Sequence, residues 1–178
     1  MYLCSLFTSV YGQKSAIVSG SIDFMKLEKT FKVEFSYDEM AVGNYKTEAE
    51  YIEYKKSKKG EGFPEKWAIK KKALWEPYFI KGLNKKIGKL GYQVSTESNS
   101  KFKFLVKPFF VEEGESFMGE GVTAIVRLQI FIIEIESNKQ VAEFRIVGNA
   151  EGDQVGGGAD AFKDAGIVLG KLILDMLN

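Results

Sequence analysis

KFKFLVKPFF, residues 101–110, is the stretch on which the fold turns. Phe102, Phe104, Val106 and Phe110 fall on one side of an extended chain, and Lys101, Lys103 and Lys107 fall on the other. Side chains alternate across a strand, so this period of two predicts a strand with one face on a core and one toward water. The next stretches repeat the signal. Residues 121–137 read as a long strand, and residues 141–148 return after a tight turn at Ser137-Asn138-Lys139, making a hairpin.

The long strand changes its pattern partway. From Val122 to Ile130 the even positions are apolar, whereas from Phe131 the odd positions Phe131, Ile133 and Ile135 are apolar. One extra residue inverts the alternation, so a β-bulge near Ile130–Ile132 is expected. The competing reading is burial on both faces around residues 130–133.

Working outward, Tyr92–Thr96 reads as a short strand before this set, and Phe31, Val33, Phe35 and Tyr37 mark an earlier one. Ala16–Phe24 reads as a further short strand, interrupted by Gly20. Thr47, with Glu50 three positions on, predicts a helix start, and Lys58-Lys59-Gly60 predicts its end. Glu65–Leu90 is the longest helical pattern, with a kink expected at Pro77 because proline cannot supply the helix hydrogen bond. A last amphipathic helix covers Ala159–Leu177, with Phe162, Ala165, Leu169, Leu172, Ile173 and Met176 in one stripe. The order β-α-α-β-β-β-β-α predicts an α+β fold: a mainly antiparallel sheet of about five strands with helices packed on one face.

Composition narrows the chemistry. The chain has no His, one Cys and a net charge of +1. The commonest general base and metal ligand is therefore missing, and no internal disulfide or cysteine zinc site can form. No catalytic, cofactor or metal site is expected. The near-zero net charge gives no electrostatic case for nucleic acid. Gly156-Gly157-Gly158 precedes a helix but lacks the lysine and hydroxyl of a phosphate loop, so a flexible or closely packed loop is expected there. Glu112, Glu113, Glu115 and Glu120 read as a solvated acidic tip. Glu134 and Glu136 share a strand face on this reading and are the carboxylates a hydrolase would use. Lys66, Lys70, Lys71 and Lys72 form a basic helix face near Trp67, Trp75 and Tyr78, and this face is the candidate surface for an anion or partner.

Residues 1–13 are uncharged, apolar from Leu3 to Val10, and small at Ser9 and Gly12. They read as a shortened signal peptide with cleavage at Gly12 and Gln13, its basic start lying upstream. The competing reading makes residues 2–11 a buried element. Cys4 follows Met1-Tyr2-Leu3 and does not fit a lipid-anchor motif. No stretch is long and apolar enough to span a bilayer as a helix. Residues 14–178 are then one domain.

Some of these residues carry a resemblance. Val10-Tyr-Gly-Gln13 is similar to the signal-peptide ends of Bacteroidetes. Phe35-Ser-Tyr-Asp-Glu-Met-Ala-Val-Gly43, Thr47-Glu-Ala-Glu-Tyr-Ile52, the strand set and Ala165-Gly-Ile-Val-Leu-Gly-Lys-Leu172 resemble uncharacterised secreted proteins of that group. The element order resembles the periplasmic domain at the N-terminus of TolB. The resemblance implies a periplasmic, outer-envelope or secreted setting, peripheral envelope association and no known activity. The leading expectation is protein–protein contact or self-assembly through exposed strand edges. The alternatives are a module binding an anionic small molecule or glycan through the lysine face, and a carboxylate hydrolase.

Overall fold

The alternating stretch lies at the centre of a seven-stranded sheet. A computed structural model describes residues 14–114, 116–117, 120–121, 123–150 and 157–177. The expected signal peptide, with Gly12 and Gln13, lies outside the described residues, as does most of the glycine-rich loop. In chain order, β1 (Ala16–Gly20), β2 (Thr30–Phe35) and β3 (Ala41–Val42) precede α1 (Glu48–Lys59), α2 (Phe63–Lys70) and α3 (Glu76–Ile87). There follow β4 (Gln93–Ser95), β5 (Phe102–Glu112), the small pair β6 (Ser116–Phe117) and β7 (Glu120–Gly121), β8 (Ala124–Glu134), β9 (Lys139–Ala150) and α4 (Gly157–Leu177).

The α+β class holds, but the expected sheet does not. The strand order is β1-β9-β8-β5-β2-β4, with β3 also on β5. The β5–β8–β9–β1 half is antiparallel, while β2 runs parallel to β4 and β5, and β3 runs parallel to β5. The sheet is therefore mixed and larger than the expected five-stranded one. The cause is the helical connection α1–α3, which carries the chain back to the starting end of β2 before β4 begins; parallel pairing needs such a crossover. Because β4 is so short, residues 96–101 only step past the start of β2 to enter β5 on its other side.

The bulge falls in a different strand from the one expected. β8 keeps its even residues Ala124, Val126, Leu128, Ile130 and Ile132 buried throughout. The extra residue is Phe109 in β5: Pro108 pairs with Leu128, and Phe110 pairs with Arg127. Pro108 has no N–H for the ladder, and a bulge is where a central strand tolerates proline. Beyond it Val111 is buried, while Phe110 turns outward beneath the Arg127 guanidinium, 4.8 Å from its ring centroid. The β8–β9 pairing also shifts, with Val141 of β9 as the extra residue.

Thr47 caps α1 as expected, its Oγ1 accepting from the Glu50 N–H at 3.2 Å. The Glu50 carboxylate reaches back to the Lys46 N–H at 3.0 Å. The kink expected at Pro77 is instead a π-helical turn, Lys71–Trp75, joining α2 to α3. A π turn inserts one residue into the helix. The buried row accordingly runs Trp67, Trp75, Phe79, Leu83, Ile87, while Leu74 and Leu90 are exposed.

α3 and α4 lie together on the even face of the sheet. Their contact is close because Gly82 abuts the Lys163 carbonyl and Gly166 abuts the Phe79 carbonyl. Gly148 of β9 similarly admits α4 at Ala161 and Ala165. Phe162, Ala165, Leu169 and Ile173 are fully buried as the stripe predicts, although Met176 is 39% exposed.

Candidate functional site

Helix α1, helix α2 and the π turn set the lysine face against the ends of the strands. Their amphipathic pattern turns Tyr51, Trp67 and Trp75 inward, and lysines adjacent to those positions follow them partway. The Lys71 ammonium lies 2.6 Å from the Glu48 carboxylate and 4.4 Å from the Tyr37 ring centroid. Glu48 also accepts from Trp67 Nε1 at 2.5 Å. Lys70 pairs with Glu113, which accepts from the Tyr51 hydroxyl at 3.1 Å. Lys66 and Lys72 are exposed. The basic face is therefore not one patch. Two of its four lysines are drawn in to neutralise carboxylates within an aromatic cluster, as half-buried acids require.

A third acid, Glu76, accepts from the Tyr37 hydroxyl at 3.2 Å. Burial holds the Glu76 carboxyl above its ordinary pKa, opposed by the Tyr37 hydrogen bond and the charges of Lys72 and Lys71. Burial, with Glu76 and Glu48 nearby, likewise raises the Tyr37 hydroxyl. Trp75 is fully buried between Phe162, stacked at 4.9 Å, and Trp67, edge-on at 5.0 Å. Its Nε1 has no hydrogen-bond partner among the described residues and lies beside Gly158 of α4.

Two hollows adjoin this cluster. One, of about 450 Å³, is lined by Lys72, Glu76, Pro77, Ile80, Lys81, Ser95 and Thr96. The other, of about 240 Å³, is lined by Tyr45, Tyr51, Tyr54, Glu112 and Glu113, with Asn44 and Lys55 beside them. The Tyr45 ring centroid is 5.6 Å from that of Tyr51 and 5.3 Å from that of Tyr54. Sequence reading missed this hollow. The i, i+3 spacing of Tyr51 and Tyr54 on a helix was visible, but Tyr45 arrives through a turn closed by its bridge to Val42.

The expected solvated acidic tip is described only at Glu112 and Glu113. Glu112 and Glu113 are half-buried, while the side chains of Glu115 and Glu120 lie outside the described residues. Glu134 ends β8 and accepts from the Ser137 hydroxyl at 2.5 Å, whereas Glu136 lies in the turn, so the two share no strand face. Among the described residues no group of three or more His, Cys, Asp or Glu side chains could hold a metal ion. Among them also, no helix is long and apolar enough to cross a membrane.

The sheet face opposite α3 and α4 has a mixed surface. Leu105 pairs with Phe131, and Lys103 pairs with Ile133, at its centre. Around them lie the Lys103–Glu34 ion pair at 2.7 Å and the Gln129–Glu143 hydrogen bond at 2.8 Å. The edges are blunted. The Asn84 side chain of α3 bonds both the N–H and the C=O of Val94, each at 2.9 Å, and so closes the outer edge of β4. β1 carries an extra residue at Val18.

No family model matches the chain, and no curated protein matches it. Solved structures with a similar arrangement of elements exist. The PelC dodecamer from Paraburkholderia phytofirmans is 12% identical, with a TM-score of 0.47, over 89% of this chain and 96% of that one. A candidate lipoprotein from Caulobacter crescentus CB15 is 13% identical, with a TM-score of 0.37, over 57% of this chain and 80% of that one. A Xanthomonas campestris protein of the DUF330 family is 13% identical, with a TM-score of 0.31, over 49% of this chain and 52% of that one. Each is a likeness in outline, and no role is taken from it.

Proposed function

We propose that this protein is a non-enzymatic component of the cell envelope or a secreted protein, and that it works by contact with another protein or with copies of itself. The contact surface is the outward face of the sheet, not the strand edges. What carries this reading is Leu105 and Phe131 side by side with Ile133 on the face opposite α3 and α4, flanked by the Lys103–Glu34 ion pair and the Gln129–Glu143 hydrogen bond. An apolar centre within a polar rim is the anatomy of a protein interface. The blunted edges favour a face contact over strand addition.

Light scattering of the purified protein and capture from envelope extracts test this. Phe131→Arg and Ile133→Glu should weaken whatever association the parent protein makes while leaving its unfolding midpoint nearly unchanged. A parent that stays monomeric and captures nothing, or an association that survives both substitutions, overturns the proposal.

A second reading rests on the hollow that brings Lys72 and Lys81 together with Ser95 and Thr96. Two cations and two hydroxyls suit an anionic small molecule or acidic glycan. On this reading Lys72→Glu with Lys81→Glu abolishes binding of an acidic oligosaccharide, and unchanged binding dismisses it.

A further inference from the structure

We infer that the hollow between Tyr45, Tyr51, Tyr54, Glu112 and Glu113 binds one ring of a neutral carbohydrate. This site is separate from the sheet face and the lysine-lined hollow.

At about 240 Å³ the hollow is smaller than the ~300–1,000 Å³ typical of drug-sized ligand sites, so it suits a single ring. One wall is aromatic. Tyr54 is 44% exposed and is held by Tyr45, whose ring is tilted 34° to it. Tyr45 in turn packs edge-on against Tyr51, at an interplanar angle of 66°, and Tyr51 is only 7% exposed. Tyr54 is thus backed by a packed pair of rings and is the tyrosine of the three most open to solvent. Aromatic faces carry negative potential, and the C–H groups on one face of a pyranose are weakly positive, so the two surfaces stack. The same hollow is lined by the Glu112 and Glu113 carboxylates and by Asn44, and Glu113 accepts from the Tyr51 hydroxyl. Carboxylates and amides bond the hydroxyls around a sugar's rim.

Charge selects among hydroxyl-rich and charged ligands. Glu113 is already paired with Lys70. Lys55 lies in the same hollow as Glu112, and its ammonium is 5.4 Å from the Tyr51 ring centroid. Two carboxylates are therefore matched by two ammonium groups. A cationic ligand would compete with Lys55 for the aromatic surface, and an anionic one would meet both carboxylates. A neutral polyhydroxylated ring meets neither penalty.

Saturation-transfer NMR on the full chain tests the inference, using glucose, galactose and N-acetylglucosamine as neutral probes. Glucosamine, glucuronate and choline serve as charged comparisons. The expected result is transfer to at least one neutral sugar, with a dissociation constant on the order of 1 mM, and weaker transfer to the charged probes. Tyr54→Ala should lower that affinity about tenfold, whereas Phe131→Arg on the sheet face should leave it unchanged. Because Tyr54 is exposed, its substitution should preserve the thermal unfolding midpoint, which confirms that a loss of binding is local. The inference is overturned if no neutral sugar shows transfer, if choline or glucosamine binds best, or if the folded Tyr54→Ala variant binds as well as the parent.

Discussion

Replacing Gly82 with alanine probes the contact on which the helical layer depends. A Cβ on Gly82 would sit 2.0 Å from the Lys163 carbonyl oxygen, 1.4 Å short of the 3.4 Å at which ordinary contact begins. The atom it meets is backbone inside α4 and cannot swing aside, so the helices must part. The intrinsic helix preference for alanine returns about 1 kcal/mol. Against this, overpacking costs about 1–3 kcal/mol, and a gap of even 0.5–1 Å forfeits a quarter to a half of the dispersion energy across it. Phe79, Leu83, Phe162 and Leu169, all fully buried, line that seam. The net is a destabilisation of about 1–2 kcal/mol, or a midpoint lowered by about 2–8 °C for a chain of this size. Urea titration should show a lower midpoint at unchanged slope. Gly88→Ala is the control: its φ is −58°, and no atom lies within 4 Å of the new Cβ, so stability should hold or rise by up to about 1 kcal/mol. A Gly82→Ala protein as stable as the parent would refute the reasoning.

The lysines should separate by substitution. Lys71→Met leaves Glu48 half-buried without its cation and should cost about 1–3 kcal/mol in urea melts, whereas exposed Lys66→Met and Lys72→Met should stay within about 0.5 kcal/mol. Glu76→Gln should stabilise the protein at neutral pH, where the parent must keep a half-buried carboxylate ionised. Because burial raises the folded pKa of Glu76, the parent loses stability from this group as pH rises from the unfolded pKa through the raised folded one. The advantage of Gln should therefore fade as pH falls below the ordinary carboxylate range, and an advantage independent of pH would contradict this.

Local pattern predicted the helices and the strands of the hairpin half well, because each rests on a period that side chains within the segment determine. The stripe Phe162, Ala165, Leu169 and Ile173 is buried as read, and Thr47 caps its helix. Strand direction was not legible. Nothing in Phe31–Phe35 marks it as parallel to both of its neighbours, since that depends on where α3 returns the chain. The apolar odd residues of β8 misled for a related reason. Phe131 and Ile133 are apolar because the far face of the sheet is itself part apolar, and a local rule reads this as an inverted pleat. The lysine face was legible as a helix surface but not as a set of ion pairs, because Glu48 and Glu113 are 23 and 43 residues away from Lys71 and Lys70.

The contrast between edges and face bears on how the protein can associate. Strand addition needs an unpaired row of N–H and C=O groups over several residues. At β4 the only outward-facing pair, on Val94, is already taken by Asn84. At β1 the extra residue at Val18 breaks the row, and Gly20 leaves it at φ +85°, a conformation that costs other residues. The outward apolar side chains Leu105, Phe131 and Ile133 are on β5 and β8, the two strands farthest from either edge. A contact there buries side chains and leaves every ladder hydrogen bond as it is. On the proposal, its strength would be set by Leu105, Phe131 and Ile133, and its register by the Lys103–Glu34 and Gln129–Glu143 pairs beside them. Added salt should slow such an association more than it weakens it, because exposed rim charges chiefly steer the encounter and the apolar centre holds the complex.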